Sequence, residues 1–132
     1  MNHSKKTYNE ATIIGCLGRD PVTKYTPSGK PVLSIMLATT SAFKRDDTKG
    51  ERTTWVPVTL WGLSAEYIGK YAHKGSRLLV TGPVESRTWE DAKTGEKKYG
   101  TEVVCEHVQI LADPQPKVEE NATQAIEEDL PW

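Results

Sequence analysis

Long apolar runs are absent from this chain of 132 residues. No stretch of about eighteen apolar residues occurs, so no helical membrane span is expected. The opening "MNHSKKTYNEATIIG" has two lysines but no long apolar stretch behind them, so no signal peptide is expected either. Cysteine is scarce. Cys16 and Cys105 stand far apart with no local motif, which argues against a disulfide framework and suits a reducing interior; both read as small core fillers. His3, His73 and His107 are scattered and have no metal-ligand spacing with the cysteines. No glycine-rich loop followed by Lys and Ser or Thr is present to cradle a phosphate. "GLSAEYIG" has the wrong spacing for a nucleophile elbow. The acid pairs Asp46-Asp47 and Glu90-Asp91 read as solvated turns. These absences leave no catalytic residue to name, and neither a metal nor a cofactor is expected.

What is present divides the chain. The formal net charge is −1, yet residues 1–112 carry sixteen Lys/Arg against twelve Asp/Glu, and residues 113–132 carry one Lys against six acids, balances of +4 and −5. The second stretch, "DPQPKVEENATQAIEEDLPW", has closely spaced prolines, many acids and almost no apolar periodicity. A single folded domain over 1–112 and a disordered acidic tail over 113–132 are expected. The tail ends in a bulky aromatic on an acidic tether, a shape suited to another protein's pocket.

The body reads as β-rich. "ATIIGCLGRD" is a first strand punctuated by Gly15 and Gly18, where a bend or bulge is expected. "TPSGKP" is a turn, "VLSIMLATT" a second strand, "FKRDDTKGER" a charged loop and "TTWVPVTLWG" a third strand. "LSAEYIGKYAHKG" reads as one short helix, with Ser64, Leu63 or Gly62 at its start and Gly75 at its end. "SRLLVTGPVESRTWED" and "KYGTEVVCEHVQIL" make the last two strands, joined by a hairpin at Lys93-Thr94-Gly95. Three strands, a helix and two strands is the order of the all-β, five-stranded OB barrel. Another small barrel, or an open sheet with one covering helix, is the alternative.

Alternation along the third strand sorts Val56, Val58 and Leu60 to one face and Trp55, Pro57, Thr59 and Trp61 to the other. The aliphatic face is the core. Tryptophans left on the opposite face suit a ligand, and a flat ring suits a nucleobase, since stacking tolerates every base and is worth roughly 1–3 kcal/mol per base. Phe43 is followed by Lys44 and Arg45, Trp89 follows Arg87, and Tyr25 follows Lys24. Cations beside rings neutralise phosphates while the rings stack. Tyr67 and Tyr71, one helical turn apart, read first as core or subunit-contact residues.

The segments "TIIGCLGRDPVTKYTPSGKPVLSIMLATT", "TTWVPVTLWGLSAEYIGKYAHKGSRLLVTGPVESRTW" and "YGTEVVCEHVQIL" resemble the bacterial single-stranded DNA-binding protein family over about residues 8–111. So does the end, Glu127, Glu128, Asp129, Leu130, Pro131 and Trp132. The resemblance implies an OB fold, a homotetramer and a cytoplasmic, nucleoid-associated protein. It implies base stacking on Phe43, Trp55, Trp61 and Trp89, with Tyr71 near the bound strand. Tyr25, Lys24, Lys44, Arg45, Lys74, Arg77 and Arg87 are secondary candidates. The terminal tip would dock replication and repair proteins, its acids on a basic rim and its Pro-Trp in an apolar pocket.

The chain departs from the family's pattern at several places. Glu85 and Thr88 flank Arg87 where basic residues are usual, and Val56 and Pro57 replace polar or basic types. These changes weaken the expected electrostatic grip. Pro57 has no N–H, so its strand should have a free edge there. The tip carries Trp132 in place of phenylalanine, and the linker is short. Such differences suit a divergent copy from a plasmid, phage or other mobile element.

The leading expectation is a non-enzymatic, sequence-tolerant coat for single-stranded DNA in replication, recombination and repair. An OB-fold interaction adaptor with secondary nucleic-acid binding is the alternative, and a nuclease on the same fold is a third. RNA binding stays open.

Overall fold

The computed structural model describes residues 6–114. Residues 115–132 of the expected tail, with the tip Glu127 to Trp132, lie outside the described residues. The chain runs β1 (Ala11–Leu17), β2 (Lys24–Tyr25), β3 (Pro31–Arg45), β4 (Thr48–Trp61), α1 (Leu63–Tyr71), β5 (Arg77–Gly82), β6 (Val84–Glu90), β7 (Lys97–Val104) and β8 (His107–Ala112). The strands form one sheet in the order β6-β7-β4-β3-β1-β5-β8, with β2 beside β3. All the paired strands are antiparallel except β4 and β7. Among the described residues the sheet has free ends at β6 and β8 and does not close into a barrel.

Each of the last two expected strands is broken in two. The first breaks at Pro83, which has no N–H to donate and whose carbonyl accepts from the Val104 N–H at 2.9 Å. Gly82 has no room for a side chain, because a Cβ there would fall onto the Val104 carbonyl. The second breaks at Cys105 and Glu106, whose N–H groups turn to the carbonyls of Thr59 and Thr81. These breaks let β5 and β8 pair on one side of the core while β6 and β7 leave it as a projecting hairpin. That hairpin turns on Asp91, whose Oδ1 accepts from the Lys93 and Thr94 N–H groups, and on Gly95 at φ 72°.

The segment expected as a charged loop is a second hairpin. β3 and β4 pair through fourteen unbroken rungs, from Val32↔Trp61 to Arg45↔Thr48, and turn on Asp46 and Asp47 at φ 49° and 66°. Two positive-φ residues make a tight turn whose twist matches the strands, and aspartate tolerates that conformation better than most side chains. Alternation is weak in this sequence because every residue from Thr40 to Trp55 except Gly50 is exposed, so neither face of the hairpin demands apolar residues.

The core lies where the hairpin meets the other strands. Leu33, Ile35 and Leu37 of β3 face Val58 and Leu60 of β4, with Leu78 and Val80 of β5 opposite. Helix α1 caps this cluster with Ala65 and Ile68, followed by Ala72. Its cap is Gly62 at φ 68°; Ser64 does not cap, because its hydroxyl donates to the Trp61 carbonyl. The helix ends at Tyr71, short of Gly75, because Ala72 turns extended and buried Ser76 ties the following loop to the His73 N–H and the end of β1. Thr59, expected outward with the tryptophans, is buried; its hydroxyl donates to Glu102 Oε1 of β7 at 2.9 Å. Cys16 is exposed on the outward face of β1 beside Ile14, and so is not a core filler. Among the described residues no helix is long and apolar enough to cross a membrane.

Candidate nucleic-acid interface

The two projecting hairpins carry the four rings singled out from sequence. Phe43, Trp55, Trp61 and Trp89 are each between 43 and 50% exposed, a large apolar area to leave in water on a small domain. Register decides how they are grouped. Trp55 and Trp61 share a face of β4, since an even number of positions separates them. Val84 pairs with Val103, which pairs with Val58 on the core face. Trp89 lies an odd number of residues beyond Val84, and so takes the face of Trp55 and Trp61. Phe43 pairs with Gly50, an odd number of rungs from Ala38↔Trp55, and falls on the reverse face of the β3–β4 hairpin. It lines a recess of about 510 Å³ with Ala42, Lys44, Lys49, Gly50 and Glu51.

Cations lie against three of these rings. Lys30 Nζ is 5.4 Å from the Trp61 centroid, Arg52 Cζ 5.6 Å from Phe43 and Arg87 Cζ 5.2 Å from Trp89. Each lies within cation–π reach of its ring. Arg87 Nε also stands 3.9 Å from Glu102 Oε1, the carboxylate anchored by Thr59. Trp55 instead lies against Gly18.

The secondary candidates divide. Arg77, Cys16, Ala38 and Trp55 occupy one rung across four strands, which puts Arg77 on the Trp55 face. Lys24, Val32 and Trp61 occupy another, which puts Lys24 on the Trp61 face and Tyr25 on the opposite one. Lys44 and Arg45 flank the β3–β4 tip on alternate faces. Lys74 is exposed on the loop after α1, its N–H held by Asp20 Oδ1 at 2.8 Å. Tyr67 and Tyr71 are exposed, not core, with ring centroids 5.7 Å apart and Lys70 Nζ 5.4 Å from Tyr71. On the β7 side β4 pairs only at Val58 and Thr59, so the edge beside Pro57 is open, as its missing N–H requires.

Sequence reasoning missed Lys30 and Arg52. Lys30 sits in a turn far from Trp61 in the chain, and Arg52 meets Phe43 only through the hairpin register. Among the described residues no three His, Cys, Asp or Glu gather as metal ligands. Burial, and secondarily Glu106, pushes the Cys105 thiol up to about 11.

An open OB-type sheet with one capping helix and exposed ring–cation pairs on two hairpins defines the class. The profile of the single-strand binding protein family matches residues 8–111. The chain belongs to this family. It is 42% identical over 106 residues to single-stranded DNA-binding protein 1 of Chlorobaculum tepidum, covering 78% of this chain and 64% of that one. It is 39% identical over 109 residues to single-stranded DNA-binding protein 1 of Xylella fastidiosa, covering 81% and 79%. The fold resembles a deletion mutant of the single-stranded DNA binding protein from Thermus aquaticus, with TM-score 0.68 and 34% identity over 79% of this chain and 50% of that one. It also resembles a Plasmodium falciparum homologue in complex with single-stranded DNA, with TM-score 0.73 and 25% identity over 82% and 98%. The chain thus spans less than two thirds of the length of the Chlorobaculum relative and half that of the Thermus chain.

Proposed function

We propose that this protein coats single-stranded DNA without sequence preference and protects it during replication, recombination and repair. The observation that carries this reading is the set of four exposed rings, three of them paired with a Lys or Arg. Bases stack on Trp55, Trp61 and Trp89 along one face, and the strand passes round the β3–β4 hairpin to reach Phe43. Lys30, Arg52 and Arg87 take phosphates. No step of this activity breaks a covalent bond, so the protein is not an enzyme. The names of the relatives from Chlorobaculum and Xylella support the nucleic acid.

Residues 1–112 form the binding domain and residues 113–132 a tether whose tip, Glu127 to Trp132, recruits replication and repair proteins. Self-association into a homotetramer is supported by the outward faces of β1 and β8, where Ile14 and Leu111 are exposed. The adaptor reading has one observation in its favour: Leu63, Tyr67 and Tyr71 line the exposed face of α1 at one-turn intervals.

Titration of tryptophan fluorescence with oligo-dT at two salt concentrations, beside a duplex of equal length, tests the proposal. Strong quenching by the single strand, weak response to duplex and loss with salt are expected. Absence of quenching overturns it and leaves the adaptor.

A further inference from the structure

Three of the four rings lie against a glycine of a neighbouring strand or loop. A Cβ at Gly18 would stand 2.6 Å from Trp55 Cζ3 and 3.0 Å from Cη2. One at Gly50 would stand 2.5 Å from Phe43 Cζ and 2.9 Å from Cε1. One at Gly100 would stand 3.3 Å from Trp89 Cζ3 and 3.4 Å from Cη2. At Gly18 and Gly50 the outer end of the ring fills the volume a side chain would take; at Gly100 the ring stands just inside ordinary contact.

The backbone does not ask for glycine at these positions. The positive-φ glycines are Gly29, Gly62, Gly75 and Gly95, and none of the three is among them. Gly50 and Gly100 lie inside β4 and β7, where glycine weakens a strand relative to alanine. A residue that lowers stability and has no conformational need has another reason to be there. That reason is the ring: an aromatic lying across a glycine packs against the bare backbone.

We propose that Gly18, Gly50 and Gly100 are positioning residues for base stacking, each leaving the space that orients one ring before a base arrives. The inference rests on the stacking reading above. A pre-oriented ring loses less freedom on binding than a loose one, so the glycines act on affinity through the rings and not through the fold.

The test uses the full chain and an oligo-dT titration. Gly18→Ala, Gly50→Ala and Gly100→Ala are compared with Phe43→Ala, Trp55→Ala and Trp89→Ala, and thermal unfolding is followed for all six. Removing a ring should weaken binding about five-fold or more, the lower end of what one stacked base contributes. Gly18→Ala and Gly50→Ala should approach that loss, because their rings must swing out. Gly100→Ala should lose less than about two-fold, because a ring shift of a few tenths of an ångström relieves a 3.3 Å contact. Unfolding temperatures of Gly50→Ala and Gly100→Ala should hold or rise. Free-protein tryptophan emission should shift for Gly18→Ala but not for Gly50→Ala, whose ring is phenylalanine. Ring deletions that weaken binding beside Gly18→Ala and Gly50→Ala variants that bind like the parent would sink the inference. Ring deletions without effect would sink the stacking reading with it. Should Gly18→Ala fail to fold, Gly50→Ala decides alone.

Discussion

If Arg87 takes a phosphate as proposed, Glu102 limits how tightly it does so, and replacing Glu102 with glutamine should strengthen binding. Its carboxylate accepts from Thr59 Oγ1 at 2.9 Å and lies 3.9 Å from Arg87 Nε, while the Arg87 guanidinium stands 5.2 Å from the Trp89 ring centre. A phosphate beside Trp89 must draw the guanidinium from this carboxylate and sit near its charge. At that separation the attraction is about 1 kcal/mol in a water-like dielectric and about 4 kcal/mol at an effective dielectric of about 20. The Arg87 side chain is 41% exposed, so the lower figure applies and salt reduces it further. Glu102→Gln keeps an oxygen for Thr59 and removes only the charge. Affinity for oligo-dT at low salt should rise about two- to five-fold, the equivalent of up to about 1 kcal/mol. If Glu102 keeps Arg87 from full contact with its phosphate in the parent, removing the charge should steepen the salt dependence by up to about 0.7 in log–log slope. Fluorescence titrations of parent, Glu102→Gln, Arg87→Ala and the double variant at four salt concentrations measure both. Unchanged affinity and slope in Glu102→Gln would refute the reasoning, and so would the same gain in an Arg87→Ala background, since the effect is meant to act through Arg87.

The turn at Asp46 and Asp47 holds two aspartates at positive φ, so replacing the pair with Asn-Gly should stabilise the domain by about 0.5–1 kcal/mol, read as a higher urea midpoint; a lower midpoint contradicts the turn geometry. Leu60 is wholly buried, and Leu60→Ala should cost about 2–5 kcal/mol of unfolding free energy in the same assay. With the Cys105 thiol pushed up to about 11 from its ordinary 9.0, it is neutral at pH 8 and should resist iodoacetamide in a Cys16→Ser background until urea unfolds the chain. The sign of the linkage follows: the unfolded thiol ionises first, so Cys105's contribution is complete below pH 9 and is lost as pH rises through about 11. Equal labelling of folded and unfolded protein would show the thiol to be accessible.

Much of the fold was legible because one face of each core strand must be apolar. The alternation of Leu33, Ile35 and Leu37, and of Val58 and Leu60, needs only a buried side and a wet side to appear. Thr59 broke the pattern because Glu102 of the neighbouring β7 accepts from its hydroxyl on the second face, and no local signal announces a strand brought from so far along the chain. The β3–β4 hairpin was hidden for the opposite reason: with both faces in water, residues 43–52 carry no apolar alternation and look like a loop. The strand breaks at Pro83 and Cys105 were half visible, the first in the proline itself and the second only in the turned N–H groups.

By itself the sequence determined which residues have the chemistry to bind a single strand: exposed-type rings with Lys or Arg close by in the chain, on an aliphatic framework with one helix. Ring identity and hydrophobic period are local properties, so they survive without coordinates. Only the tertiary structure decided which rings share a face, which cation meets which ring, and which glycine lies against Phe43, Trp55 and Trp89. Those relations depend on the register of the fourteen-rung ladder and of the β6–β7 hairpin. A slip of one residue in either would turn the rings of the slipped strand to the other side, because side chains alternate with period two and the pairing alone chooses the phase.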